Sequence, residues 1–416
     1  MELFDSHPRY REEALCRRRF KHADILPLIE LHASCGVWQV STAGFSFEGR
    51  EIKLLKAGRG AVKVLLWSQM HGDEPTATMA LFDIFNFLEG RGDGFDSLRE
   101  SVLNNMTLYV VPMLNPDGAE LFQRVTAQMI DMNRDALALQ TPEARILKGL
   151  VDTLKPDFGF NLHDQNPRYT AGRSPKLATI SFLATSYDYE LSVNATRLRS
   201  MQLIAYLNQV LQEFIPGQIG RFSDEHEPRA FGDNIQKWGT TLVLVESGGY
   251  KGDPERQFVR KLNFVALLRA FEAISSGSYQ VQTRDGYESI PFNSRCVYDL
   301  VIRGCTVKKG GQEYWVDIGI DREEVNDSSM DGGFGYHSII QETGDLRTRY
   351  GIEELDGSGL TFEAGREVME PEIPITGDVA TFLLTQNGKV RYSVENGIVY
   401  DLDQLQYNPS PSYRIQ

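Results

Sequence analysis

Residues 61–69, AVKVLLWSQ, form a nearly continuous apolar run. After Met70 comes HGDEP, residues 71–75, and after Thr76 the helical pattern ATMALFDIFNFL, residues 77–88. A strand without polar alternation is one buried on both faces. Such a strand requires a parallel or mixed sheet with helices packed against it. Further strands are expected at MTLYVVPMLNP (106–116), DFGFNLHD (157–164), KLATISFLA (176–184) and TTLVLVESGG (240–249). Helices are expected over 22–35, 141–156, 191–214 and 255–276. In the helix after HGDEP, Ala77, Leu81, Ile84, Phe85 and Leu88 share one face. In the helix from 141, Thr141 caps and Pro142 takes the first position. VWQVSTAGFSFEGREIKLLKAG, residues 37–58, reads as two strands around a glycine turn. The fold class is therefore α/β.

The pattern changes near SSGSYQVQTRDG, residues 275–286. Beyond it the chain reads as short strands and turns. Asn387-Gly388 and Asn396-Gly397 each separate strand-like runs, and Asn-Gly is the strongest short hairpin signal. We expect two domains: an α/β domain over 1–278 and a β-rich domain over 279–416.

The 416 residues carry a net charge of −14, which argues against a nucleic-acid partner. No apolar run reaches the length of a membrane span. The first twenty residues are charged throughout and lack the apolar core of a secretory signal. Cys16, Cys35, Cys296 and Cys305 show no CxxC spacing, so neither a zinc ribbon nor a disulfide framework is expected. A reducing, cytoplasmic location is the expectation.

Ligands of open α/β sheets bind at the carboxyl ends of strands. His71 and Glu74 sit at such an end, in a turn closed by Pro75. An imidazole and a carboxylate there suit Zn²⁺; equally, Asp73 and Glu74 suit the dipole of the next helix. His163 ends a second apolar strand, as a third zinc ligand or as a core histidine. Two histidines and one carboxylate are the donor set of a catalytic zinc. In DMNRD, residues 131–135, Asp131 is either a turn residue or the group that orients a ligating histidine. Arg124 provides a planar fork for a carboxylate or an oxyanion, or else a surface ion pair. Glu246 ends a third apolar strand, either exposed at the tip or placed to accept a proton from water.

Together, HGDE (71–74), NPDG (115–118), Arg124, DMNR (131–134), NLH (161–163) and VES (245–247) resemble, in order, the zinc carboxypeptidase family. The resemblance covers roughly residues 20–275. It implies an α/β/α sandwich with a mixed sheet of about eight strands. It implies one zinc per chain, held by His71, Glu74 and His163, with Asp131 orienting His71. By the same resemblance Glu246 is the general base, Arg124 stabilises the oxyanion, and Asn133 and Arg134 bind the terminal carboxylate of a peptide.

The sequence departs from the digestive members in GRFSDEHEPRAFGDN, residues 220–234, which lacks their loop tyrosine. His226 is the expected substitute as substrate-binding donor. The short segment between Glu74 and His163 is closer to the cytosolic carboxypeptidases and to the aspartoacylase and succinylglutamate desuccinylase branch. That branch also carries a β-rich C-terminal domain. The expected activity is removal of a C-terminal amino acid. The alternatives are hydrolysis of a small N-acyl amino acid, or an inactive binding protein of the same fold. Arg168 and Arg173 either flank the cleft mouth or carry solvated loop charge. The β-rich domain is expected to cover the cleft, to mediate an oligomer or to bind a partner. No GxGxxG run follows a strand, which disfavours a nucleotide enzyme.

Overall fold

The computed structural model of the chain describes residues 2–327, 329–330, 332–365 and 373–403. Two units emerge. The first comprises Met1–Pro167, Ala178–Tyr250 and Glu255–Asn293; the second comprises Arg168–Leu177, Lys251–Pro254 and Ser294–Gln416.

The first unit is built on β1 (Gln39–Phe45), β2 (Glu51–Gly58), β3 (Val62–Ser68), β4 (Met106–Val111) and β5 (Phe158–Asp164). After the short β6 (Thr170–Ala171), which belongs to the second unit, come β7 (Ile180–Leu183), β8 (Ile219–Arg221) and β9 (Thr241–Ser247). The eight-stranded mixed sheet has the order β1-β2-β4-β3-β5-β9-β7-β8. Its centre, β4-β3-β5-β9, is parallel. This parallel core brings the carboxyl ends of β3, β5 and β9 side by side.

The helices are α1 (Glu2–Ser6), α2 (His22–Ser34), α3 (Thr76–Glu89), α4 (Asp96–Asn105), α5 (Pro116–Leu121), α6 (Pro142–Leu154), α7 (Ala195–Gln212), α8 (Phe231–Lys237), α9 (Gln257–Ser276) and α10 (Arg284–Glu288). The caps expected for α6 are present, with Thr141 Oγ1 accepting from Ala144 N at 3.1 Å. Helix α3 departs from its expected single apolar face. All of it except Asn86 and Glu89 is buried, as befits a helix apolar all round. The N-terminal segment and α9 cover the side that periodicity assigned to solvent.

Asp83 on α3 holds that cover. Its carboxylate accepts from Arg260 Nε at 2.7 Å and from Glu12 N at 2.8 Å, and lies 2.8 Å from His7 Nε2. Removing one partner of a buried ion pair strands the other charge, at about 3–5 kcal/mol. Asp83→Ala is therefore expected to lower stability by that amount in urea unfolding, with an unchanged slope. A loss below 1 kcal/mol would show that the cluster does not hold the segment.

The first unit runs on to Asn293, beyond the composition change at 278. Tyr287 of α10 is fully buried, and its hydroxyl accepts from Ala184 N at 3.2 Å. The polar composition of 279–293 conceals three apolar anchors, Tyr279, Tyr287 and Ile290.

The second unit follows the short β10 (Asn293–Ser294). It contains β11 (Val297–Lys309), β12 (Gln312–Asn326), β13 (Phe334–Gly344), β14 (Tyr350–Asp356), β15 (Thr361–Ala364), β16 (Phe382–Gln386), β17 (Lys389–Glu395) and β18 (Ile398–Asp401). Its sheet has the order β13-β12-β11-β15-β16-β17-β18, with β14 parallel to β11. Ile302, Ile318, Ile320, Leu384 and Val394 lie in its own core. Both expected Asn-Gly hairpins form, with positive φ at Asn387, Gly388, Asn396 and Gly397. Arg168 matches neither of its expected places. It is buried within this unit, donating to Asp299 Oδ2 at 3.0 Å and to Glu323, with Asp321 at 3.5 Å. Arg173 is exposed. Among the described residues no helix is long and apolar enough to cross a membrane.

Candidate metal centre

β3 ends at Ser68, and the chain turns at once through Gln69, whose φ of 47° is left-handed. Gln69 Nε2 donates to the Gly72 carbonyl at 3.1 Å and closes the turn. Only glycine fits at position 72, because a Cβ there would stand 2.0 Å from the Gly118 carbonyl carbon. That close neighbour is α5, built from NPDG. Asn115 caps α5 by accepting from Gly118 N at 2.9 Å, and its Nδ2 donates to the Met70 carbonyl at 3.3 Å. The NPDG segment thus braces the residue before His71. Local sequence marked it only as a turn.

The turn brings Glu74 between two histidines. His71 Nδ1 lies 2.8 Å from Glu74 Oε1, and His163 Nδ1 lies 2.6 Å from Glu74 Oε2. One ligand atom from each of the three lies within 4.8 Å of the others. All three residues are buried. Among the described residues this is the one cluster of its kind. Two imidazole nitrogens and a carboxylate oxygen fit Zn²⁺. The remaining ring nitrogen of His71 lies 3.1 Å from Asp131 Oδ1, which sets the ring's orientation. Burial pulls His71 down, but Glu74 and Asp131 outweigh it and push it up to about 9. Burial would raise Glu74, yet the two histidines hold it well below the usual carboxylate range. For His163 burial wins over Glu74, and the imidazole is held below its ordinary value.

Glu246 is registered opposite His163 on the adjacent parallel strand β9. It is 8% exposed. Burial first, and then the charges of Glu74 and Asp164, raise its carboxyl well above the ordinary range. Arg124, half exposed, donates through Nε to Asp131 Oδ2 at 3.0 Å and through Nη1 to Glu74 Oε1 at 3.2 Å. Asn133 N donates to Asp131 Oδ1 at 2.9 Å, and Asn133 Oδ1 accepts from Phe231 N at 2.9 Å. Arg134 Nε lies 3.2 Å from Glu227 Oε2. His226 is seated against other groups: Nδ1 is 3.4 Å from Ser186 Oγ and 3.7 Å from Asp233 Oδ2, and the ring meets Tyr189 edge-on.

Supporting residues went unread in the sequence. Asp164 N donates to Glu74 Oε2 at 3.2 Å, and its carboxylate accepts from Thr76 Oγ1 at 2.6 Å, tying the end of β5 to the start of α3. Asn161, two positions before His163 and so on its face of the sheet, is fully buried. Neither of its amide atoms has a hydrogen-bond partner. Its signal was a lone amide inside an apolar strand.

Fold and donor set define an α/β domain with a His-Glu-His cluster able to hold a metal at the carboxyl ends of its parallel strands. Residues 30–162 match the family described as zinc carboxypeptidase. Over these residues the chain is similar to zinc metallopeptidases. It is 32% identical over 143 residues to Carboxypeptidase 2 of Trichophyton rubrum, covering 32% of this chain and 25% of that protein. It is 35% identical over 106 residues to Carboxypeptidase SOL1 of Arabidopsis thaliana, covering 23% and 21%. The chain thus spans about a quarter or less of the length of these relatives. In fold it is similar to the metallo-carboxypeptidase from Burkholderia cenocepacia, with a TM-score of 0.50 and 18% identity over 62% of this chain and 70% of that one. The family match stops one residue before His163, so His163 and Glu246 join the site through geometry.

Proposed function

We propose that the chain is a zinc-dependent carboxypeptidase-type hydrolase that releases a C-terminal amino acid. The observation that carries this is the convergence of His71, Glu74 and His163 beside Glu246, with Arg124 reaching the same group. His71, Glu74 and His163 would hold the zinc, which when bound supplies Lewis-acid activation of water and of the scissile carbonyl. Glu246 accepts the proton of the attacking water on its carboxylate and returns it to the leaving amine. Arg124 offers its guanidinium to the oxyanion, and Asp131 keeps both Arg124 and His71 in orientation. Asn133 and Arg134 take the terminal carboxylate. We further propose the cytoplasm as the setting, consistent with four free cysteines.

Product analysis by mass spectrometry tests this reading. Zinc-loaded protein is incubated with a mixed pool of peptides and N-acyl amino acids. Stepwise loss of C-terminal residues is expected. Release of amino acids solely from the acylated set would replace the peptidase reading with amidohydrolysis.

A further inference from the structure

The segment that lacks the loop tyrosine brings a carboxylate of its own to Arg134. Glu227 accepts from Arg229 at both oxygens, Oε1 from Nε at 2.9 Å and Oε2 from Nη2 at 2.8 Å, and again from the Arg229 backbone N at 3.1 Å. The same Oε2 lies 3.2 Å from Arg134 Nε. One carboxylate therefore bridges two guanidinium groups, firmly on Arg229 and by one longer contact on Arg134. Backbone contacts keep it in reach. Ala136 N donates to the Arg229 carbonyl at 3.1 Å, and Phe231 N donates to Asn133 Oδ1 at 2.9 Å. Glu227 N is itself anchored to Asp233 Oδ2 at 2.7 Å. The neighbouring Arg124 is already engaged by Asp131 and Glu74.

We propose that Glu227 is a tethered carboxylate that sets the affinity of this site for carboxylate-ended ligands: it holds Arg134 in the free protein and yields it to the incoming carboxylate while staying on Arg229. The proposal rests on the reading of Arg134 as the residue that receives the substrate's terminal carboxylate. Its physical basis is the asymmetry of the bridge. A fork-to-fork pair is the stronger arrangement. Geometry and not exposure separates the two arginines, since Arg134 is 39% exposed and Arg229 59%: the single 3.2 Å contact of Arg134 is the exchangeable one. Glu227 thus competes with every ligand carboxylate, and not with a neutral terminus.

The test is calorimetric binding of a matched pair of N-acetyl dipeptides, one ending in a free acid and one in a primary amide. Zinc-loaded Glu246→Gln protein is used so that neither is consumed. Adding Glu227→Gln is expected to tighten the acid about two- to fivefold, the range of an exposed ion pair, and to leave the amide unmoved. Unchanged or weaker binding of the acid overturns the proposal, as does equal tightening of both ligands. Arg134→Gln in the same background separates the two readings. It is expected to abolish discrimination between acid and amide. If discrimination survives, Arg134 is not the carboxylate receptor and the underlying reading fails, whatever Glu227 does. Zinc titration of each variant confirms an intact site.

Discussion

Glu246→Gln is expected to lower turnover by about 10²–10⁴-fold while zinc stays bound, the range lost when a positioned acid-base group is removed. The substitution preserves shape and removes the proton-accepting oxygen. Glu246 stands next to His163 in the sheet register, where the three-residue cluster converges. Its burial and the charges of Glu74 and Asp164 raise its affinity for a proton, which suits a group that must take one from water and later release it. A glutamine cannot do either. Zinc content by metal analysis should equal that of the unaltered protein, since Glu246 lies outside the His-Glu-His donor set. Turnover within tenfold of the parent, with full zinc, would assign proton transfer to another residue.

His163→Ala is expected to weaken zinc binding by more than 100-fold. Groups that only orient a ligand typically contribute 10–100-fold, and His163 contributes a donor atom. Its loss also leaves Glu74 Oε2 with the single backbone donor of Asp164 at 3.2 Å. The measurement is competition against a chromophoric chelator, paired with thermal unfolding. Zinc should raise the melting temperature of the parent and not of the variant, because a ligand stabilises only the state that binds it. Retention of parental zinc affinity would place the metal elsewhere.

The parts of the site legible in the sequence share one property: their signal is local. His71 and Glu74 stand three positions apart in one turn, and Asp131 sits in the short segment DMNR. His163 and Glu246 each end an apolar run, which is visible without knowing where the run goes. The Asn-Gly hairpins were equally readable, because both residues need left-handed backbone at the point of the turn. The unread parts depend on partners far along the chain. Gly72 is required by Gly118, and Asp164 answers Thr76. Arg168 finds its carboxylates more than a hundred positions onward. Helix α3 looked amphipathic because its outer cover comes from the N-terminal segment and α9.

The sequence by itself therefore determined the donor types, the strands that carry them and the turn that presents Glu74. Tertiary structure alone decided that these groups meet. The order β3-β5-β9 sets positions 71, 163 and 246 side by side, and strand order is a matter of non-local pairing and burial that no short window encodes. It also decided that Arg134 faces Glu227, because Arg229 and Phe231 are docked on Ala136 and Asn133 by hydrogen bonds between segments nearly a hundred positions apart.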